Sequence, residues 1–132
     1  MDKRTFLGML LATAATTPSL AQEAAWPSRP IRIVTPMGAG GVGDIIGREI
    51  GQRLSQRLGQ PVIIENKPGA NGVIATQQVA RAPADGYTLL LTLTQHIQAP
   101  IQYKDVGYDP VTDFTPLTRI GAPSKVGRTA RK

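Results

Sequence analysis

The chain has 132 residues, a formal net charge of +6, one histidine and no cysteine. This length accommodates a single domain, and the absence of cysteine excludes disulfides, thiolate metal sites and a cysteine nucleophile. One histidine cannot form a catalytic zinc site by itself, so the sequence has few residues for nucleophilic or metal-dependent catalysis.

The positive charge lies at the two ends of the chain. Subtracting +1 for residues 1–21 and +4 for residues 124–132 leaves +1 for the central part, where basic and acidic residues alternate. A nucleic-acid-binding domain needs a continuous basic surface. The central part has no basic stripe, so the sequence argues against nucleic acid as a partner.

The first 21 residues have the pattern of a cleavable export signal. Lys3 and Arg4 precede an apolar stretch over residues 6–15, which is too short to span a bilayer. Ser19 and Ala21 provide the small residues that a signal peptidase accepts, so we predict cleavage before Gln22 and a periplasmic location. Residues 3–7 are also similar to a weakened twin-arginine signal, which leaves the export route open.

The rest of the chain alternates between strand and helix patterns, starting with a strand over residues 31–35. A helix is predicted over residues 44–58, because apolar residues recur there at every fourth position. Gly59 is placed to end it. These regularly spaced residues, expected to face the core, are Ile46, Ile50, Leu54 and Leu58.

Shorter elements follow at regular intervals. We predict a buried strand over residues 62–65, a helix over 72–81, a turn over 82–86 and a strand over 87–92 that is covered on both faces. Residues 93–104 indicate a loop with some helix, and residues 114–120 a fourth strand at a sheet edge. The order of elements predicts an α/β fold with a mainly parallel sheet flanked by helices.

The glycine loop, residues 36–44, joins the first strand to the first helix. Its glycines allow backbone amides to approach an oxyanion closely, and the start of the helix adds partial positive charge. A second loop, residues 68–72, precedes the next helix in the same way. In a parallel sheet both loops lie at the carboxyl ends of the strands, so we predict an anion site there.

The glycine loop also satisfies a competing pattern. Gly38, Gly40 and Gly43 match the dinucleotide fingerprint, with Glu65 about twenty residues further on. A small Rossmann-like dinucleotide-binding enzyme is therefore an alternative, although Pro36 lengthens the turn and a carboxylate follows the last glycine. A plain strand-to-helix connection is a third interpretation.

Polar residues near these loops have both structural and ligand-binding interpretations. We expect Asp44 to cap the helix by accepting from the amides of Ile46 or Gly47, with direct ligand contact as the alternative. Asn71 either donates to a ligand or provides a left-handed turn. We expect His96 to lie in a surface loop, although it follows the third strand together with other donors. Those donors are Thr92, Thr94 and Gln95.

Several segments, taken in order and spacing, resemble the Bug-type, TctC-like substrate-binding component of tripartite tricarboxylate transporters. The resemblance extends from Trp26, which we interpret as a packing anchor, to Ala122. The segments that carry it are residues 26–34 (WPSRPIRIV), the glycine loop, and residues 58–62 (LGQPV), 65–70 (ENKPGA), 82–90 (APADGYTLL) and 108–110 (YDP).

The resemblance implies a two-lobed periplasmic protein that closes over a small carboxylated solute and delivers it to a membrane permease. It implies no catalysis, no cofactor and no stable membrane insertion after signal cleavage. The ligand-binding residues carried over by position are Gly40, Gly41, Gly43 and Asp44 in the first loop, Ala70, Asn71 and Gly72 in the second, and Thr92 and Thr94 after the third strand.

Two features depart from that family. Residues 37–39 replace an aromatic residue and proline, which alters the expected shape of the pocket. The chain also lacks the length for a second lobe, and residues 123–132 are abruptly basic and polar. We therefore interpret residues 22–122 as a partial first lobe, followed by an irregular basic tail. The sequence then favours a truncated binding protein with impaired affinity, or a non-functional gene remnant.

Overall fold

The computed structural model of the chain describes residues 25–121. The predicted signal peptide, its cleavage site before Gln22 and the basic tail lie outside the described residues. The elements in chain order are β1 (Ile31–Thr35), α1 (Val42–Leu58), β2 (Val62–Asn66), a 3-10 turn (Ala70–Gly72), α2 (Val73–Ala80), β3 (Thr88–Leu90) and α3 (Gln95–Gln102).

The three strands form a parallel sheet in the order β2-β1-β3. The central strand β1 pairs Ile31 with Val62 and Ile33 with Leu89, and the side chains of Ile31 and Val34 are almost completely buried. Each strand is followed by a helix, so all three strands point in one direction and their carboxyl ends share one edge. The α/β prediction with a parallel sheet is confirmed.

Helix α1 contacts the sheet through glycines. Gly47 lies against Leu91 and Ile64, and Gly51 lies against Ile64 and Val62. Their spacing of four residues leaves a strip of helix backbone that side chains of the sheet can approach closely. Ile46, which we expected to face the core, is 38% exposed, so that expectation was wrong. Helix α1 ends as predicted at Gly59, with a φ of 67°.

Helices α2 and α3 build a second apolar cluster beside the sheet. Buried Val73, Ala99, Val106 and Tyr108 form its centre, and Phe114 packs against them. The predicted fourth strand is wrong in the described chain. Phe114 is held by the aromatic cluster, and residues 115–120 are exposed without a strand partner. An extended segment becomes a strand only when a neighbouring strand accepts its backbone hydrogen bonds.

Two other elements differ in extent from the prediction. Strand β3 has only three residues, and Leu89, Leu90 and Leu91 are half-buried rather than covered on both faces. Helix α3 occupies most of the segment that the sequence left between loop and helix. No helix within residues 25–121 is both long enough and apolar enough to cross a membrane.

Candidate ligand site at the carboxyl ends of the strands

The glycine loop leaves the first amides of α1 free. A turn in the loop is closed by the Gly41 amide donating to the Gly38 carbonyl at 3.2 Å, and the first helical bond runs from Ile45 to Gly41 at 3.0 Å. The amides of Val42, Gly43 and Asp44 have no acceptor among residues 25–121. These three donors, at the positive end of a 17-residue helix, are suited to an oxyanion.

The carboxylate of Asp44 stabilises this loop. It accepts hydrogen bonds from the Gly40 amide at 2.9 Å, from Arg48 Nε at 3.0 Å and from Asn66 Nδ2 at 3.0 Å. The predicted capping role is wrong, because Gly41 precedes the helix and no side chain caps it. Asp44 is the third helical residue, and its side chain turns back to the loop instead of forward to Ile46 or Gly47.

These contacts also determine the ionisation of Asp44. The hydrogen bond from Arg48, supported by those from Gly40 and Asn66, lowers the pKa of Asp44 from 3.8 to about 2. Only 4% of the residue is exposed, and the guanidinium of Arg48 balances the charge of its carboxylate. The carboxylate is therefore ionised at neutral pH and engaged by the protein, while the backbone amide of Asp44 remains free.

Asn66 is a loop-positioning residue that the sequence analysis missed. It is the last residue of β2 and pairs with Thr35 at the end of β1. Its Nδ2 donates to the carbonyl of Met37 at 3.0 Å as well as to Asp44, and its Oδ1 accepts from Arg48 Nη2 at 3.4 Å. Its position in the sequence could have indicated this role, because a polar residue at the end of a strand can reach a glycine loop that follows the neighbouring strand.

The second loop has a left-handed backbone. Asn71 has a φ of 50° and Ala70 a φ of 44°, so the left-handed turn, one of the two interpretations of Asn71, is present. The Asn71 side chain donates to Gln102 Oε1 of α3 at 3.0 Å. Asn71 therefore links the second loop to α3, and the residue is exposed.

The glycine loop, the second loop and the start of α3 meet at Gly72. A Cβ added to this buried glycine would lie 3.3 Å from Pro36 Cβ in the glycine loop and 3.2 Å from Gln95 Cγ at the start of α3. Gly72 also has a φ of 88°, which side-chain-bearing residues rarely adopt. Only glycine fits this conformation and this spacing without strain, so the junction fixes the loops relative to one another.

The third loop, residues 91–94, leads from β3 into α3 and carries two threonines. Thr92 is half-buried, and Thr94 is exposed immediately before α3, where its side chain makes no capping bond. His96 belongs to α3 and not to a surface loop. It stacks on Tyr108 with a centroid distance of 5.7 Å, and its Nε2 lies 3.1 Å from the Pro110 carbonyl. His96 is thus part of the aromatic cluster.

The opposite end of the sheet has a shallow cavity with a different character. Arg29 pairs with Asp85 at 2.7 Å, and Arg32 pairs with Glu65 at 3.5 Å. Trp26 packs beside this region on Tyr87, at a centroid distance of 6.0 Å, although it is 53% exposed. Because each arginine has an acidic partner, this end is less suited to an anion than the glycine loop.

The described residues also bear on the alternative chemistries. Between residues 25 and 121 no group of three or more histidine, cysteine or acidic side chains could hold a metal ion. Glu65, the acidic residue of the dinucleotide pattern, contacts Arg32 and accepts from Gln78 at 3.4 Å. Met37 fills the space beside Gly43, where a Cβ would collide with its thioether. The dinucleotide interpretation gains no support from these contacts.

A parallel α/β lobe with free backbone amides between strand and helix occurs in solute-binding proteins as well as in other α/β proteins. Residues 46–128 match the model of the tripartite tricarboxylate transporter family receptor, TctC. The chain belongs to this family, whose members are solute-binding receptors, and the resemblance found in the sequence is confirmed.

Relatives and solved structures agree with this assignment. A UPF0065 protein of Bordetella bronchiseptica is 45% identical over 118 residues, which cover 89% of this chain and 35% of the relative. BugT of Bordetella pertussis is 34% identical over 120 residues, which cover 87% of this chain and 36% of that protein. The chain thus spans about a third of the length of these curated relatives.

Two solved structures share the fold. The periplasmic binding protein BugD is 45% identical, with a TM-score of 0.66 over 69% of this chain and 30% of that chain. MatC from Rhodopseudomonas palustris, solved with bound malate, is 40% identical, with a TM-score of 0.63 over 68% of this chain and 31% of that chain. The described lobe therefore corresponds to part of a periplasmic binding protein.

Proposed function

We propose that this chain acts as the periplasmic solute-binding component of a tripartite tricarboxylate-type transporter and binds a small carboxylated solute through backbone amides. The observation that carries the proposal is the set of three unpaired amides of Val42, Gly43 and Asp44 at the start of α1. A carboxylate only accepts hydrogen bonds, so clustered amides are its natural partners.

The rest of the proposed site surrounds these donors. Gly40 and Gly41 lie in the exposed part of the glycine loop. The second loop approaches this loop where Gly72 lies beside Pro36. The exposed residues Ala70, Asn71 and Thr94, together with half-buried Thr92, would complete the ring of polar groups around the solute. Asp44 contributes its amide to the solute, and its carboxylate keeps the loop in shape. No catalytic residue or cofactor enters this mechanism.

Electrostatics favours a carboxylate without a dedicated cation. The partial positive charge of the α1 start acts on an oxyanion directly, and the Asp44 carboxylate below it is balanced by Arg48 at 3.0 Å. Such a site depends on geometry more than on net charge. It accommodates several carboxylates, and the malate bound to MatC makes four-carbon dicarboxylates the first compounds to test.

Residues 22–122 would act as one lobe of such a receptor after export through the signal peptide, and the loaded receptor would meet membrane permease subunits. In the described lobe the loops face solvent. Amide hydrogen bonds exposed to water contribute little net affinity, because water competes for the same donors. The chain on its own should therefore bind weakly, with a dissociation constant above about ten micromolar.

A thermal melt of the purified chain with a panel of ligands tests the proposal. The panel contains malate, succinate, citrate, benzoate and NAD, each at millimolar concentration. A ligand that binds only the folded form raises the midpoint. We expect a carboxylate-dependent rise that Val42→Pro reduces, since proline at this exposed first helical position removes one of the three amides. A rise with NAD alone, or a chain without a cooperative transition, would overturn the proposal.

A further inference from the structure

Gln95 stands out among the side chains beside the Gly72 junction. It is the first residue of α3, and its Cγ lies 3.2 Å from the position of a Cβ added to Gly72. Its Nε2 lies 3.6 Å from the same point, so the carboxamide extends across Gly72 beside Pro36. The side chain thus lies where the glycine loop, the second loop and α3 meet.

The carboxamide of Gln95 makes none of the side-chain hydrogen bonds found within residues 25–121, and the residue is half-buried. Asn71 donates to Gln102, and His96 Nε2 lies beside the Pro110 carbonyl, whereas the buried His96 Nδ1 has no partner in the described part of the chain. Thr76, on α2, donates to the Gly72 carbonyl at 2.9 Å. A half-buried amide without a protein partner, beside both the glycine loop and the second loop, is available to a ligand.

A carboxamide presents an acceptor oxygen and an NH2 donor group, both bonded to the same carbon. A carboxylate of the solute can only accept from the carboxamide NH2 group. A solute with a hydroxyl next to its carboxylate can also donate from that hydroxyl to the carboxamide oxygen. We infer that Gln95 is a specificity-determining residue, which binds the solute beside the amides of α1 and favours a hydroxylated carboxylate over the same acid without the hydroxyl. This inference rests on the proposed function, since the carboxylate itself is held by the glycine loop.

The experiment compares malate with succinate, which differ by one hydroxyl group. Both are titrated at millimolar concentration into the 15N-labelled 132-residue chain, and affinities are read from backbone and side-chain amide shifts. We expect malate to bind about five- to tenfold more tightly and to shift the Gln95 side-chain amide. Gln95→Leu, which keeps the size and removes both polar atoms, should bring the ratio of affinities close to one.

Two further variants make the result specific. Gln98→Leu carries the same change at an exposed position of α3 and should leave the ratio unchanged. Gln95→Glu keeps the shape but replaces the donor with a negative charge, so it should weaken both acids. All variants are checked for an unchanged thermal midpoint without ligand, which separates a contact with the solute from a structural role.

The outcomes distinguish the two proposals. Shifts in the glycine-loop amides with a ratio that Gln95→Leu leaves unchanged would overturn the role of Gln95 and keep the proposed function. If the unaltered chain binds succinate as tightly as malate, the role of Gln95 is likewise overturned and the proposed function is kept. Absence of any carboxylate-dependent shift at residues 40–44 would overturn both proposals.

Discussion

The Asp44 carboxylate accepts a hydrogen bond from the Gly40 amide at 2.9 Å, so a residue of α1 fixes the loop that leads into it. The same carboxylate accepts hydrogen bonds from Asn66 of β2 and from Arg48, one turn further along α1. A single buried group therefore connects the glycine loop, the helix and the neighbouring strand. It leaves the amides of the first helical turn free.

Replacing Asp44 by Asn tests this connection. The pKa of Asp44 falls from 3.8 to about 2 on folding, so the stabilisation is complete above about pH 4 and is lost as the pH falls towards 2. Urea unfolding at several pH values should show this loss in the unaltered chain. Asp44→Asn should be less stable at pH 7 and should lack that part of the acid dependence.

Glu49→Gln is the control for this experiment, because it removes an exposed carboxylate from the same helix. Exposed ion pairs contribute little, so its stability at pH 7 should change by less than about 0.5 kcal/mol. Equal stability of Asp44→Asn and the unaltered chain at pH 7 would contradict the role given to Asp44.

Gly72→Ala should destabilise the chain through two effects. The left-handed backbone costs about 1 kcal/mol with any side chain, and the new Cβ would press on Pro36 and Gln95 at 3.3 and 3.2 Å. Gly40→Ala is the matched control, since it has a φ of 80° and no atom within 4 Å of the added Cβ. We expect Gly72→Ala to lower the free energy of unfolding by about 1 kcal/mol more. Equal losses would mean that the loops are not tightly joined.

The glycine face of α1 gives a prediction about packing. Gly51→Leu would place a side chain between α1 and β2, where an added Cβ already lies 3.2 Å from Ile64 and 3.4 Å from Val62. We expect a loss of about 2 kcal/mol or more in the free energy of unfolding, measured with urea. Gln56→Leu, on the exposed side of the same helix, should change it by no more than about 0.5 kcal/mol. Similar effects of the two changes would contradict the packing described.

Asn66→Ala should loosen the glycine loop without removing any of its amides. The variant loses the donors to Met37 and Asp44, and we expect it to be less stable by about 1–2 kcal/mol. Hydrogen exchange at the Gly40 amide should become faster, because its acceptor is held less firmly. Gln102→Ala removes the exposed contact to Asn71 and serves as the control. Unchanged exchange at Gly40 in Asn66→Ala would contradict the positioning role.

The sequence predicted the elements whose signals are local. The strand over residues 31–35 has the predicted bounds, and Gly59 ends α1 in the left-handed conformation that its position indicated. The glycine loop lies between strand and helix as expected, because the chain order and the residue types together determine it. Helix α1 begins two residues earlier than predicted, at Val42, since the N-terminal cap is a backbone glycine without a side-chain signal.

The errors arose where tertiary contacts decide the outcome. Asp44 near the start of a helix has a local preference for capping, but Arg48 and Asn66 draw its carboxylate back to the loop. The periodicity of apolar residues along α1 concealed the glycine face, because glycine carries no hydrophobic signal. Residues 114–120 have the composition of a strand, yet a strand also needs a neighbour, which the local sequence cannot provide.

The free amides of the first turn of α1 are the central claim, and an amide-resolved titration of the chain with malate tests it most directly. We expect the largest shifts at Val42, Gly43 and Asp44, with smaller shifts in the second loop. Shifts confined to residues around Arg29 and Arg32, at the opposite end of the sheet, would contradict the account, as would no shift at malate concentrations up to tens of millimolar.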